Sequence, residues 1–304
     1  MTLQQIRYVI MIASTGSMNE AAKRLFLSQP SLSGALKDLE KEMGISIFSR
    51  TSKGVILTAE GEEFLGYARQ ILNQVELLEE KYLDGNNFRK KFGVSTQHYS
   101  FAVKAFVETV REYGMNEYEF AIRETKTADV IKDVSTGKSQ IGILYLNEFN
   151  EKIMQKLFKE AQLEFTELFR CRGYVYLWKG HPLAENDRIK LEELEEYPCL
   201  AFEQGDNNSF YFSEEILSTY DYKRIIKACD RATLLNLMVG LNGYTLCSGI
   251  ICEELNGGDY RAVPLDREEI MRIGYVMKKN EAKSAICKKY IEEIEKFRKY
   301  NISE

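Results

Sequence analysis

Histidine is almost missing from this chain of 304 residues: His98 and His181 are the only two. The six cysteines, Cys171, Cys199, Cys229, Cys247, Cys252 and Cys287, form no C-x-x-C pattern, so no metal site is expected. The thiols are read as reduced and mostly buried. A redox pair would need two sulfurs brought together in space, which spacing along the chain does not supply. Also absent are G-x-S-x-G, the Walker pattern, H-E-x-x-H and a G-x-G-x-x-G after a strand. Without a nucleophile and its base, a metal constellation or a phosphate loop, the chain is not expected to be an enzyme or to hold a cofactor. No apolar run approaches the length of a spanning helix, and MTLQQIRYVIMIAST lacks the basic region, apolar core and cleavage site of a signal peptide. A cytoplasmic chain with no membrane partner is expected.

What is present is enough for two to three domains, since 44% apolar residues are ample to bury their cores. The formal charge of −5 argues against a generally cationic surface, so its distribution matters more than its sum. Residues 1–58 carry seven bases and four acids, a net +3, whereas residues 59–83 carry two bases and six acids, a net −4. Positive charge is therefore concentrated at the N-terminus.

There the pattern is helical. Leu3, Ile6, Ile10 and Ala13, with Val9 alongside, predict a first helix over 3–14, and Ala21, Ala22 and Leu25 a short second one over 19–25. Ser28 suits an N-cap and Pro30 the first turn of a third helix from Gln29. On that helix Leu32, Leu36, Leu39 and Met43 form the expected core face, and Gly44 the stop. Two short β-type runs, 45–48 and 55–57, flank a tip that carries Lys53 beside Arg50. A tight helix pair whose second member is polar at its exposed N-terminal end fits the major groove of duplex DNA, with the hairpin as a wing on the backbone. Candidate DNA contacts are Gln29, Pro30, Ser31, Ser33, Lys37, Arg50 and Lys53.

Residues 16–72, GSMNEAAKRLFLSQPSLSGALKDLEKEMGISIFSRTSKGVILTAEGEEFLGYARQIL, resemble the N-terminal domain of LysR-type transcriptional regulators. The matching features come in order: G-S before the alanine pair, A-A-x-x-L, S-Q-P-S-L-S, L-E-x-x-x-G, I-F-x-R and L-T-x-x-G. One departure is Gly34, where the family usually has a longer polar or basic residue; one base or phosphate contact is thereby removed.

Thr58 can cap a long helix over 59–83, in which Phe64, Ala68, Ile71, Val75, Leu78 and Tyr82 step by four and three. This heptad seam is expected to join two copies, placing two recognition helices on an inverted-repeat operator. Asp84-Gly85-Asn86-Asn87 reads as the hinge. Beyond it, β-runs at 92–95, 118–124, 141–146, 166–179, 199–202, 225–228, 245–248, 261–264 and 272–278 alternate with helices over 101–113, 128–136, 191–196, 209–218, 232–239 and 282–300, the order of parallel β-α-β units. Residues 91–304 resemble the effector domain of the same family, a type 2 periplasmic-binding-protein-like fold, through this order and through KGHPL at 179–183, VGLNGYTL at 239–246 and VPL at 263–265.

The expected fold is thus α/β: a winged helix-turn-helix over 1–58, a linker and dimerisation helix with its hinge over 59–90, and a two-lobed effector domain over 91–304. Lobe one is placed at about 91–165 and 266–304, lobe two at about 166–265. Ligands of open α/β sheets lie beyond strand C-termini, beside helix N-termini that favour anions. This selects Ser95, Thr96, Gln97 and His98, then Thr125, Lys126 and Thr127, with Asn147, Gln204 and Thr233, and suggests a small, anionic metabolite. Asn207–Ser209 is a further candidate loop. Helix capping is an equally good account of Ser95, Thr127, Ser209 or Thr233 taken singly. The resemblance implies a dimeric or tetrameric DNA-binding regulator, with RNA polymerase as a further candidate partner. The competing reading is an effector-independent DNA-binding dimer whose second domain serves only oligomerisation.

Overall fold

A computed structural model describes residues 1–51, 54–82, 90–113, 118–205 and 209–300. The hinge residues 84–87, Lys53 and Asn207 lie outside the described residues. Two compact units form, one mainly from the elements before residue 83 and one mainly from those after residue 89.

The first unit begins with α1 (Leu3–Thr15), opened by a reciprocal cap in which Thr2 and Gln5 each accept the other's backbone N–H. Its buried stripe is Ile6, Val9 and Ile12; Leu3, expected inside, is exposed because it precedes the turn that meets the neighbouring helices. Next come α2 (Met18–Arg24), capped by Ser17, and α3 (Gln29–Met43), capped by Ser28. Leu32, Leu36 and Leu39 bury against α1 and α2, while Met43 sits in the last turn, already past the core, and is exposed. Gly44 ends α3 at φ +71°, the left-handed cap that glycine adopts at little cost. Strands β1 (Phe48–Thr51) and β2 (Gly54–Leu57) pair antiparallel, Phe48 opposite Leu57. Thr58 then accepts the Gly61 N–H at 2.9 Å and starts α4 (Ala59–Tyr82).

The expected seam of α4 is divided. Phe64 and Ala68, with Leu65, are buried within the single chain in the cluster that holds α1 and α3. Ile71 and Val75 are half-buried, Leu78 is 59% exposed, and the side chain of Tyr82 lies outside the described set. Phe64, Leu65 and Ala68 help to seal this core, so that part of α4 is already occupied before any partner arrives.

The second unit starts with β3 (Lys90–Thr96), α5 (Ser100–Tyr113), β4 (Tyr118–Glu124), α6 (Thr127–Ser135) and β5 (Ile141–Leu146). It continues through α7 (Glu151–Glu160), β6 (Leu163–Arg172), β7 (Tyr174–Trp178), β8 (Cys199–Phe202), β9 (Ile225–Ala228), α8 (Arg231–Leu241) and β10 (Thr245–Cys247). The last elements are α9 (Glu253–Asn256), β11 (Tyr260–Pro264), β12 (Ile270–Lys278) and α10 (Ala285–Glu295). One sheet runs β4-β3-β5-β12-β6, with β3 parallel to both β4 and β5 and β12 antiparallel to β5 and β6. Around it pack α5 and α10, whose Phe101 and Tyr290 are fully buried. The other lobe combines the antiparallel sheet β10-β7-β11 with the parallel pair β8-β9.

Three local expectations fail. Residues 209–218 make no helix, only a 3-10 turn at Phe210–Phe212, because Glu214 and Glu215 spend their side chains on His98, Gln204 and the Phe202 N–H outside the segment. Residues 191–196 likewise shorten to a 3-10 turn at Leu191–Leu194. Helix α7 was not expected, since Met154 and Phe158 alone are fully buried on it. Helix α8 ends on a left-handed cap at Asn242, φ +50°.

Candidate functional site

In the N-terminal unit the sequence candidates converge on one end of α3. Pro30, Ser31 and Lys37 are exposed and turned away from Leu32, Leu36 and Leu39, while Gln29, in the first turn, and Ser33 are half-exposed. Ser28 pairs its hydroxyl with Ser31 and accepts the Ser31 N–H at 3.2 Å, fixing the direction in which the helix leaves the turn. Gly34 is open, with nothing near the position a side chain would take. Within the turn, Phe26 adopts φ +56° and is 95% exposed, a strained backbone carrying a ring that covers nothing in this chain. The backbone of Arg50 lies in the wing opposite Val55; its side chain and the whole of Lys53 are outside the described set.

In the second unit a cleft of about 630 Å³, part of it open to solvent, separates the lobes. Of the ten ligand candidates only His98 lines it. Ser95 is turned into its own lobe, where its hydroxyl donates to Asp133 at 2.7 Å and meets Ser139 at 2.8 Å. Thr96 donates to the Gln97 carbonyl. Gln97 is fully committed: its amide donates to Thr127 Oγ1 and its oxygen accepts from Tyr99 Oη and the Tyr145 N–H. Thr125 lies by Asp129, and Asn147 closes a turn with Asn150 through two 2.9 Å bonds. Lys126 lies along Gly205, whose missing side chain and φ of +64° leave room for the ammonium. Thr233 is exposed and folded back on Asp230, which is the true cap of α8. Gln204 borders a second cavity on the far side of its loop.

The residues that shape the cleft were largely unforeseen: Tyr99 and Ser100 from lobe one, and Tyr176, Phe202, Glu214, Glu215, Arg231 and Ser248 from lobe two. Glu214 and Glu215 would pass for solvated acids in a sequence, yet both are buried. Glu214 Oε2 accepts the His98 N–H and pairs with His98 Nδ1, each at 2.8 Å, and Oε1 accepts from Gln204 Nε2 at 3.0 Å. The His98 ring also stacks on Phe202, 3.6 Å between centroids. Glu215 accepts the Phe202 N–H at 2.8 Å and the Ser213 hydroxyl at 3.1 Å. Burial, reinforced by Glu214 beside it, pushes the Glu215 carboxyl up to about 7. Arg231 is spent on Glu124.

These contacts form a clasp between the lobes. Besides His98–Glu214, the Thr127 N–H donates to Gln204 and its hydroxyl to the Phe212 carbonyl, Tyr145 Oη donates to the Glu215 carbonyl, and the rings of Phe149 and Tyr211 stack. The clasp bears on the loop ahead of α5, where an anion was expected to bind. The backbone N–H that would attract an anion ahead of α5 already holds the chain's own Glu214 carboxylate.

The cysteines are six free thiols, four of them buried. Burial pushes Cys171, Cys247 and Cys287 up to about 12, which withholds the thiolate that redox exchange requires. Among the described residues no cluster of histidine, cysteine and carboxylates could hold a metal ion, and no helix is long and apolar enough to cross a membrane.

A winged helix-turn-helix joined to a two-lobed α/β domain with a cleft defines a class of one-chain regulators, in which one unit binds DNA and the other a small molecule. Residues 3–62 match the bacterial regulatory helix-turn-helix protein, lysR family, and residues 116–298 match the LysR substrate binding domain. The chain belongs to the LysR family: it is a DNA-binding transcriptional regulator with an effector-binding domain, and not an enzyme. It is similar to YvbU of Bacillus subtilis (strain 168), an uncharacterized HTH-type transcriptional regulator, with 26% identity over 217 residues covering 69% of each chain. AlsR of the same organism is 29% identical over 206 residues, 66% of this chain and 64% of that one. A full-length OxyR variant from Pseudomonas aeruginosa superposes with a TM-score of 0.71 at 21% identity, covering 97% of this chain and 94% of that one, and shares the fold.

Proposed function

We propose that two copies of this regulator grip an inverted-repeat DNA site through paired α3 helices, and that a small molecule in the interlobe cleft alters the grip. The observation that carries the DNA half is the end of α3, where Gln29, Pro30, Ser31, Ser33 and Lys37 face outward on a helix held from behind by three buried leucines. A glutamine at that place can pair with adenine through both the oxygen and the nitrogen of its amide, while Lys37, with Arg50 and Lys53 of the wing, neutralises phosphate. The later part of α4, from Ile71 through Leu78, provides the apolar stripe by which the copies join, and the effector domains provide a second surface for a tetramer. On this reading residues 1–58 bind DNA, 59–90 link, and 91–304 sense, with β6 extending the sheet of lobe one to Arg172. On this reading the regulator acts on chromosomal promoters, in the cytoplasm and within reach of RNA polymerase.

A ligand that fits one lobe arrangement better than another shifts the population toward it, and the clasp residues are the contacts it must keep or replace. Gln29→Ala tests the base-reading role. It is expected to cost about 1–3 kcal/mol of discrimination, measured as the ratio of affinities for a selected operator and a random duplex. Equal weakening on both DNAs would remove Gln29 from base recognition.

A further inference from the structure

We propose that the cleft takes a small organic cation, an amine carried on an apolar body, an inference that rests on the cleft being the effector site. The charge balance of its walls leads there. Two attractions it could offer an anion are already satisfied inside the chain: Glu214 takes the His98 N–H and ring, and Arg231 takes Glu124. An incoming carboxylate would instead meet two buried acids, Glu214 and Glu215, on one wall. Glu215 has hydrogen-bond donors but no cation among its described partners. An ammonium would supply the missing counter-charge.

A second, independent observation lies elsewhere on the lining. The Tyr176 hydroxyl is buried and has no partner in good hydrogen-bonding geometry among the described residues, the Asn256 side chain lying close enough to interact with it. A buried hydroxyl left unpaired costs about 1–3 kcal/mol, and its oxygen can accept from an N–H donor. Apolar and aromatic side chains make up much of the remaining wall, with Phe202, Leu234, Leu246 and Ile250 among them, surfaces that accommodate a hydrocarbon body and, at a ring face, a positive charge.

Cation binding at Glu215 must compete with the proton. The carboxyl is held up to about 7, so placing an ammonium beside it releases that proton and affinity rises with pH. The groups facing Glu215 are Glu214 on its own loop, Tyr99 ahead of α5, Tyr145 of β5, Cys199 of β8 and Tyr222. Glu269 faces Tyr145 and Arg267 faces Tyr222 at one remove. The phenols and the thiol are all raised by burial, out of the physiological range. His98, through Glu214, is the other group to separate, which Glu215→Gln does.

The test uses the full chain and three probes with one carbon skeleton: phenethylamine, phenethyl alcohol and phenylacetate. Calorimetric titration at pH 8 should show the amine binding at least tenfold tighter than the acid. From the ionised fraction of a carboxyl titrating near 7, amine affinity should fall about tenfold by pH 6. Glu215→Gln should abolish both the preference and the pH dependence; Tyr176→Phe, a milder change, should weaken the amine several-fold and leave its pH dependence intact. Tighter binding of phenylacetate, or amine binding indifferent to both substitutions, would overturn the cation assignment while leaving the cleft a ligand site. Binding of none of the three would overturn the cleft as an effector site, and the assignment with it.

Discussion

Gly61→Ala is expected to destabilise the N-terminal unit by about 3 kcal/mol, although alanine is the better helix former by about 1 kcal/mol. The two effects oppose each other, and geometry decides. A Cβ on Gly61 would fall 2.0 Å from the Ile47 carbonyl oxygen and 2.8 Å from its carbon, both backbone atoms that cannot swing aside. Nor can Ile47 withdraw as a unit. Its side chain is fully buried, its N–H is held by Glu40 at 2.7 Å, and its carbonyl accepts the Thr58 N–H at 3.1 Å, the bond that fixes the start of α4. The methyl group must therefore push α4 off the wing and break the cap at Thr58. Urea unfolding of the variant, followed by a probe in the N-terminal unit, should show the lowered midpoint together with weakened DNA binding. A variant as stable as the parent would mean that the α4 junction is not the fixed point described here.

Glu214→Ala is the second large effect, about 3–5 kcal/mol in the effector domain. Truncation removes one acceptor group from three buried donors: the His98 N–H, His98 Nδ1 and Gln204 Nε2. Water cannot readily replace it, because the Glu214 and His98 side chains are only 5% and 6% exposed. Glu214→Gln keeps one accepting oxygen but turns an amide N–H₂ toward existing donors, so its cost should fall between those of the parent and the alanine variant. Thermal unfolding of all three proteins checks the order; a Glu214→Ala protein within 1 kcal/mol of the parent would show that the interlobe clasp does not hold the lobes.

The sequence was most readable where local rules decide. Ser28, Pro30 and Gly44 mark the ends of α3 by capping and backbone preference alone, and Leu32, Leu36 and Leu39 lie inside as their spacing requires. The strands Tyr118–Glu124, Ile141–Leu146, Cys199–Phe202 and Ile225–Ala228 run over the residues the β-patterns indicate. The cleft was less readable because its polar groups are chosen by distant partners. Ser95 near the end of β3 and Gln97 just after it stand where expected, yet Asp133 and Thr127, thirty or more residues away, draw them inward. Glu214 and Glu215 follow an aromatic run that looks helical, and only the approach of His98 and the Phe202 N–H gives two adjacent acids a reason to be buried. The seam of α4 shows the same limit: a heptad pattern marks an apolar face without saying which part of it the chain covers by itself.

The account's central claim is that α3 of two joined copies reads one DNA site. The most direct measurement is selection of genomic fragments by the purified full chain, followed by nuclease footprinting of the enriched ones. The account predicts two protected half-sites related by inversion and centred about one helical turn, or a multiple of it, apart, with protection weakened by Gln29→Ala. Fragments no different from bulk DNA, or a single protected half-site, would contradict it.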